Sequence, residues 1–337
     1  MRIAIDVMGG DDAPDAIVRG CLDALPHLPS DDRLVLVGDA SVVEDIIHER
    51  GALDDRIELV DTHVEIEMHE SPVEAVRTKP DSSLVRMVML GSARKSPEPV
   101  DVVISAGNTG ACVSAATMHM KRLKGVHRPG IACVIPALHG PVVMCDVGAN
   151  PEPRPSHLYQ YALMADTYAR KMLGIESPRV ALMNIGSEET KGTGMIKEVR
   201  DLLERTPGLG FIGYIEGRDV FEGRADVIVT DGFVGNITLK LAEGLARSLF
   251  GTIAQEVFEN DPDLALKLQP VMADLFKKND YHEYGGAPLL GVNGVCIICH
   301  GSSKARTIKN TIIRARSYVA EHVNDAIVER IAQLEAI

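Results

Sequence analysis

Five short polar, glycine-rich segments concentrate the chemistry in this sequence. They are Ser105-Ala106-Gly107-Asn108-Thr109-Gly110, Asp146-Val147-Gly148-Ala149-Asn150, a run from Asn184 to Gly192 containing Lys191, Asp231-Gly232-Phe233-Val234-Gly235-Asn236, and His300-Gly301-Ser302-Ser303-Lys304. Glycine lets the backbone approach a ligand closely, and the unpaired amides at a helix start attract an anion. The segments at Asn108 and Ser302 lead straight into helical sequence, so a phosphate suits them better than an apolar ligand. Asp6 ends the first apolar run, ahead of Met8-Gly9-Gly10-Asp11-Asp12, where it could orient a cation or cap the helix beginning near Ala13-Pro14. A positioning role for Asp6 is preferred.

Several common chemistries lose ground. None of Ser105, Ser302 and Ser303 lies in a G-x-S-x-G elbow, and there is no Walker A loop or paired G-x-G-x-x-G. Cys296-Ile297-Ile298-Cys299-His300 satisfies the C-x-x-C-H pattern of haem attachment. It sits in an apolar strand, where side chains three apart point to opposite faces and cannot clamp one haem or one zinc. His300, at the strand end, reads instead as a cleft residue. The remaining cysteines, at 21, 112, 133 and 145, lie mostly in apolar runs and read as reduced, buried small hydrophobes.

The elements that must hold these segments are short β-branched runs at 2–6, 33–37, 100–104, 131–135, 142–145, 179–183, 225–229 and 295–299, alternating with amphipathic helical stretches. Strands apolar on both faces and joined by helices predict a mostly parallel sheet in a three-layer α/β/α sandwich. In an open parallel sheet the carboxyl ends of the strands share one edge, so one cleft assembled from all five segments is expected. No linker or fixed-period repeat divides the 337 residues, which predicts a single domain over 1–337. A projecting helical hairpin is expected over 233–285: one helix to Asn260, a break at Asp261-Pro262-Asp263, and a second over 264–278 that Pro270 should kink or interrupt.

Hydrophobic residues at 45% and charged residues at 25% match a folded globular protein. The formal charge of −13 disfavours nucleic-acid binding, and any acidic protein partner would need a local basic patch. The densest basic run is His119, Lys121, Arg122, Lys124, His127 and Arg128. The first residues carry no charged leader with an apolar core, so export is not expected. No apolar run reaches the roughly 18 residues that span a bilayer, and any membrane contact should be peripheral.

Taken together and in order, these segments resemble the PlsX-type phosphate acyltransferases. Asp6-Val7-Met8-Gly9-Gly10-Asp11, the segments at 105–110, 146–150 and 184–192 with Glu188 and Lys191, and those at 232–240 and 285–303 carry the resemblance over nearly the whole chain. Arg77-Thr78-Lys79-Pro80-Asp81-Ser82-Ser83 and Arg154-Pro155 with Leu158, Gln160 and Ala162 are similar too, while Val7, Arg154, Pro151-Glu152-Pro153 and Lys304 depart from the family's usual residues. The resemblance implies a fold like the isocitrate and isopropylmalate dehydrogenases and the phosphate acetyltransferases. It also implies a cytoplasmic, peripherally membrane-associated homodimer of phospholipid synthesis. Such an enzyme reversibly transfers a long-chain acyl group from acyl carrier protein to inorganic phosphate. Its product supplies a membrane-bound glycerol-3-phosphate acyltransferase, and no metal or organic cofactor is implied.

On that reading phosphate sits at Gly107, Asn108, Thr109 and Gly110 with help from Lys191 or Lys240, and His300 protonates the leaving thiolate. Asn150, Asn184 and Asn236 donate to the oxyanion or the pantetheine amides, with Asp6, Asp231 and Ser302 completing the binding set and Lys304 a secondary candidate. The basic run at 119–128 would meet the carrier protein. Three alternatives stay open: a coenzyme A-dependent phosphate acetyl- or butyryltransferase, a nicotinamide-dependent decarboxylating dehydrogenase of the same broad fold, and a non-catalytic membrane scaffold.

Overall fold

The computed structural model describes residues 1–51, 54–279 and 284–335. Its strands are β1 (Arg2–Asp6), β2 (Arg33–Gly38), β3 (Ile57–Asp61), β4 (Val102–Ser105), β5 (Gly130–Ala137), β6 (Gly140–Cys145), β7 (Arg179–Met183), β8 (Gly210–Ile215), β9 (Val227–Val229), β10 (Ala287–Leu290) and β11 (Val295–Ile298). The helices are α1 (Asp15–Ala24), α2 (Ala40–Glu49), α3 (Pro72–Thr78), α4 (Ser83–Leu90), α5 (Thr109–His119), α6 (Pro155–Leu173), α7 (Gly194–Glu204), α8 (Gly232–Asn260), α9 (Pro262–Asn279), α10 (Ala305–Ala320) and α11 (Val323–Glu335). All eight anticipated strands form. β3, β8 and β10 are additional: β8 is interrupted by Gly213, and β10 carries Pro288, a residue that removes a ladder donor and disguises a strand.

The strands form one sheet in the order β3-β2-β1-β4-β11-β10-β5-β6-β9-β7-β8. Alternating residues feed two cores. Ile3 and Ile5 of β1 face a layer containing α1, α6, α7, α10 and α11, and Ala4 faces one containing α3, α4 and α5. This is the expected α/β/α sandwich.

The single shared edge does not occur. β10 is antiparallel to both β11 and β5, and β5 is antiparallel to β6. Three reversals therefore leave β1, β2, β3, β4 and β11 running one way, and β6, β7, β8 and β9 the other. Register brings the opposed ends together. Ile298, at the end of β11, pairs with Ala287, while Cys145, at the end of β6, pairs with Ala132. Ala132 adjoins Ile131, the partner of Leu289 in β10. The carboxyl ends of both halves thus stop at nearly the same height on either side of the β10–β5 junction. The five segments converge head to head rather than side by side.

Helices α8 and α9 occupy the segment of the anticipated hairpin, and α9 runs through Pro270 without interruption. Residues 280–283 of the anticipated hairpin lie outside the described residues. The buried residues of α8 are Gly232 and Gly235, both in its first turn. Among the described helices none is long and apolar enough to cross a membrane.

Candidate functional site

One wall of the junction is built from the ends of β1, β4 and β11. The Asp6 carboxylate accepts from Ser105 Oγ at 2.8 Å and from the Met8 amide at 3.2 Å, and Ser105 Oγ in turn accepts from the Gly107 amide at 3.0 Å. Gly9 and Gly107 meet so closely that a Cβ on Gly9 would stand 2.7 Å from the Gly107 nitrogen. The Asp11 amide donates to the Gly301 carbonyl and the Cys299 amide to Ser105, both at 2.8 Å, tying the β11 loop to the other two. Burial raises the Asp6 pKa, opposed by these hydrogen bonds.

The facing wall is organised around Asp146. Its Oδ1 accepts from the amides of Ile131, Gly148 and Ala149 at 3.0, 3.2 and 3.0 Å, and its Oδ2 from the Asn150 amide at 2.7 Å. Burial raises its pKa against the pull of those amides. The Asn150 carbonyl accepts from the Gly232 amide at 2.9 Å, which fixes the first turn of α8. Asp231 caps that turn through the Phe233 and Val234 amides at 3.0 and 2.8 Å. Any side chain at 235 would place its Cβ 2.0 Å from the Asp146 carbonyl oxygen, so the helix can lie this close only through glycine. Thr238 Oγ1, 3.9 Å from Met183 Sδ, seats the second turn over the end of β7.

A side-chain pair links the walls. Lys240 Nζ lies 3.3 Å from His300 Nε2, and His300 Nδ1 lies 2.8 Å from Ser302 Oγ. A lysine ammonium only donates, and the Ser302 amide donates to Nδ1 at 3.2 Å, so donors face both nitrogens of the His300 ring. Asn236, one turn before Lys240, faces Gly148 and has no hydrogen-bond partner among the described residues. The site thus offers an ammonium, an imidazole and a free carboxamide between two loop systems rich in backbone amides.

Known proteins of similar sequence show the family to which the chain belongs. The sequence profile described as a fatty acid synthesis protein matches residues 1–326. The phosphate acyltransferase of Dictyoglomus turgidum is 43% identical over 332 residues, covering 98% of this chain and 97% of that protein. That of Heliobacterium modesticaldum is 45% identical over 337 residues, covering 98% of each. The chain belongs to the phosphate acyltransferase family. It is therefore an acyltransferase, as the motifs implied. In fold it is similar to a phosphotransacetylase from Streptococcus pyogenes, with TM-score 0.65, 18% identity and coverage of 95% of this chain and 94% of the other. It is also similar to a structure assigned to a 4-hydroxythreonine-4-phosphate dehydrogenase from Salmonella typhimurium, with TM-score 0.52, 15% identity and coverage of 94% and 99%. These two likenesses place the dehydrogenase-like fold.

In this chain the anticipated residues divide into those committed to the scaffold and those left open. Asn108 caps α5 through the Ala111 amide at 3.0 Å and donates to the carbonyls of Glu67, Met68 and Glu70 at 3.1–3.2 Å. The start of α5 is thereby roofed, with Pro72 packed where a Cβ on Gly110 would go. Thr109 and Gly110 remain half-buried beneath it. Asn150 gives its amide to Pro129 O and Tyr161 Oη at 2.7 and 2.6 Å and accepts from Arg128 Nε at 2.5 Å. Asn184 closes its own loop on the Gly186 carbonyl at 3.1 Å. Lys191 is exposed on that loop, without an ion-pair partner among the described residues. Lys304 pairs with Asp12.

Cys296 and Cys299 lie in different cores, with Cys296 Sγ 3.7 Å from Cys112 Sγ and Cys299 Sγ 3.4 Å from Thr311 Oγ1, so they face opposite sides of the sheet. All six cysteines are free and buried. Burial pushes Cys299 up to about 11 and Cys133 to about 12, which leaves neither as a thiolate nucleophile. Asp39, Asp61 and His63 are the group among the described residues close enough to share a metal ion. Asp39 already caps α2, however, and holds His63 Nδ1 at 2.9 Å.

The sequence reading missed the roof at 67–72 and the Arg128–Asn150–Tyr161 cluster. Ser71-Pro72, a serine followed by proline at a helix start, was the available signal for the first.

Proposed function

We propose that this acyltransferase moves a long fatty acyl group from a carrier-protein thioester to inorganic phosphate. The observation that carries the reading is the Lys240–His300 pair spanning two amide-rich walls, beside a free Asn236 carboxamide. A phosphate oxygen attacks the thioester carbonyl carbon, the tetrahedral oxyanion collapses, the carbon–sulfur bond breaks, and acyl phosphate and thiolate result. The thiol's ordinary pKa of about 8.5 makes it a tolerable leaving group, so no covalent enzyme intermediate is required. In this assignment Lys240 holds phosphate against the carbonyl, Asn236 donates to the oxyanion, and His300 positions the lysine. The thiolate takes its proton from the Lys240 ammonium, whose Nζ faces His300 Nε2.

Support for a long acyl chain comes from an apolar cavity of about 400 Å³ along the same helix. Ile135, Pro136, Phe221, Leu239, Leu249 and Ile253 are among its lining residues. With purified protein, palmitoyl carrier protein should release free thiol only when inorganic phosphate is present, and hydroxylamine should trap the acyl phosphate. Acetyl carrier protein should be much poorer. Release from coenzyme A thioesters alone would replace this reading with the acetyltransferase-like one, and no release from either donor would end it.

The chain is further proposed to act as one unit over 1–337 and as a homodimer in the cytoplasm, with membrane contact limited to the surface. Phe233, Ile237, Leu241, Leu245, Leu249 and Ile253 recur every four residues along α8 and are each 47–68% exposed, an apolar stripe that a second copy would cover. Ile237→Asp with Leu241→Asp, both outside the apolar cavity, should convert a dimer to a monomer in sedimentation equilibrium. An unchanged mass, or a monomeric wild type, would remove that proposal.

A further inference from the structure

A basic trough adjoins the loop that carries Asn150. One depression of about 770 Å³ is lined by Arg94, Lys121 and Arg122 among others, and a second of about 640 Å³ by Arg154 and His157. Both share His127 and Arg128, and Glu152 is the one carboxylate in the lining. In a chain of net charge −13 this is a local reversal of sign. Elsewhere Arg170, Arg179, Arg200 and Arg316 each rest on an aspartate. No ion pair among the described residues neutralises Arg94, Lys121, Arg122, Arg128 or Arg154.

Two independent observations mark the trough as built. Burial lowers the His157 pKa, and Arg128, His127, Arg154 and Arg122 lower it further, as a concentrated positive field requires. Lys121 also occupies a left-handed backbone conformation with φ of 72°. It is held there by its amide bond to Ala116 O at 3.1 Å and by the Asn293 amide on its own carbonyl at 3.0 Å. Glycine would sit at such a helix end without strain, yet a lysine is kept. The trough passes Pro151 and Glu152 into a mostly apolar hollow formed by Pro153, Met195, Phe233 and Val234, with Asp231 also in its lining, at the first turn of the helix that carries Asn236 and Lys240.

We propose that this trough is the docking surface for the acidic protein that carries the acyl thioester. The inference rests on the acyl-transfer reading above. Cations along the trough meet the carrier's carboxylates, and the apolar hollow leads its acyl group toward α8.

The test uses Arg94→Glu and Lys121→Gly with two donors, palmitoyl carrier protein and palmitoyl-pantetheine, which has no protein attached. The KM for the carrier donor should rise about tenfold in Arg94→Glu, with kcat little changed and a weaker dependence on salt. Lys121→Gly should raise it in the same sense while unfolding no earlier than wild type, because it removes left-handed strain. Neither variant should alter the KM for palmitoyl-pantetheine. An unchanged KM for the carrier donor in both variants would overturn the proposal, as would an equal rise for both donors. If wild type released no thiol yet bound unacylated carrier protein in a salt-sensitive way that Arg94→Glu abolished, the docking surface would stand and the acyl-transfer reading would fall.

Discussion

Lys240→Ala is expected to lower kcat for phosphate-dependent thiol release by about two to three orders of magnitude, as loss of a preorganised charge at the reacting centre does. Its thermal midpoint should scarcely move. Lys240 is exposed on α8, its side chain meets His300, and alanine is the better helix former. The change has a second readout that a structural role would not give. Without the ammonium, His300 Nε2 has no donor facing it while Nδ1 still accepts from the Ser302 amide, so nitrogen NMR should find the ring proton held on Nε2 in the variant. Asn236→Ala should lower kcat in the same direction and leave the tautomer alone. Wild-type turnover in Lys240→Ala, or a loss matched by unfolding, would sink the assignment.

Asp146→Ala should cost about 3–5 kcal/mol in urea unfolding, because a buried acceptor would vanish and leave several backbone donors unmet. Ile131, Gly148, Ala149 and Asn150 all give their amides to this one carboxylate. A loss under about 1 kcal/mol would show that water replaces the carboxylate freely. The charge has its own signature. Burial raises the pKa of both Asp6 and Asp146, so each contributes stability that is complete below the ordinary value of about 3.9 and is lost as pH rises through its folded value. In Asp146→Asn that part of the pH dependence should disappear and the part due to Asp6 should remain.

Most of the layered architecture was legible because its signals are local. β-branched runs announced eight strands, and helical periodicity announced α8 and α9 on either side of Asp261. The five polar segments were found for the same reason, each following an apolar run. What could not be read was strand direction. A four-residue strand containing Pro288 and the short β5–β6 hairpin reverse half of the sheet, and neither leaves a strong trace in hydrophobic pattern. The asparagines illustrate a second limit. Asn108 looked like a ligand donor, yet its amide is committed to carbonyls 38 to 41 residues away, and Asn150 is committed to Tyr161 and Pro129. Residue type shows what a side chain can donate, while long-range packing decides whether the donor is still available. Asn236 and Lys240, by contrast, lie four residues apart on α8, a spacing that is itself local.

The place of β10 and β11 in the middle of the sheet has a consequence for how the chain is made. These strands come from near the carboxyl terminus, yet they fill the gap between β4 and β5. A growing polypeptide therefore assembles two separate half-sheets whose inner margins have open hydrogen-bonding groups until residues 287–298 emerge. Bare margins of that kind invite pairing with neighbouring chains. The same late insertion completes the Lys240–His300 contact, so a nascent chain cannot gain its reactive pair before its most vulnerable margins are sealed.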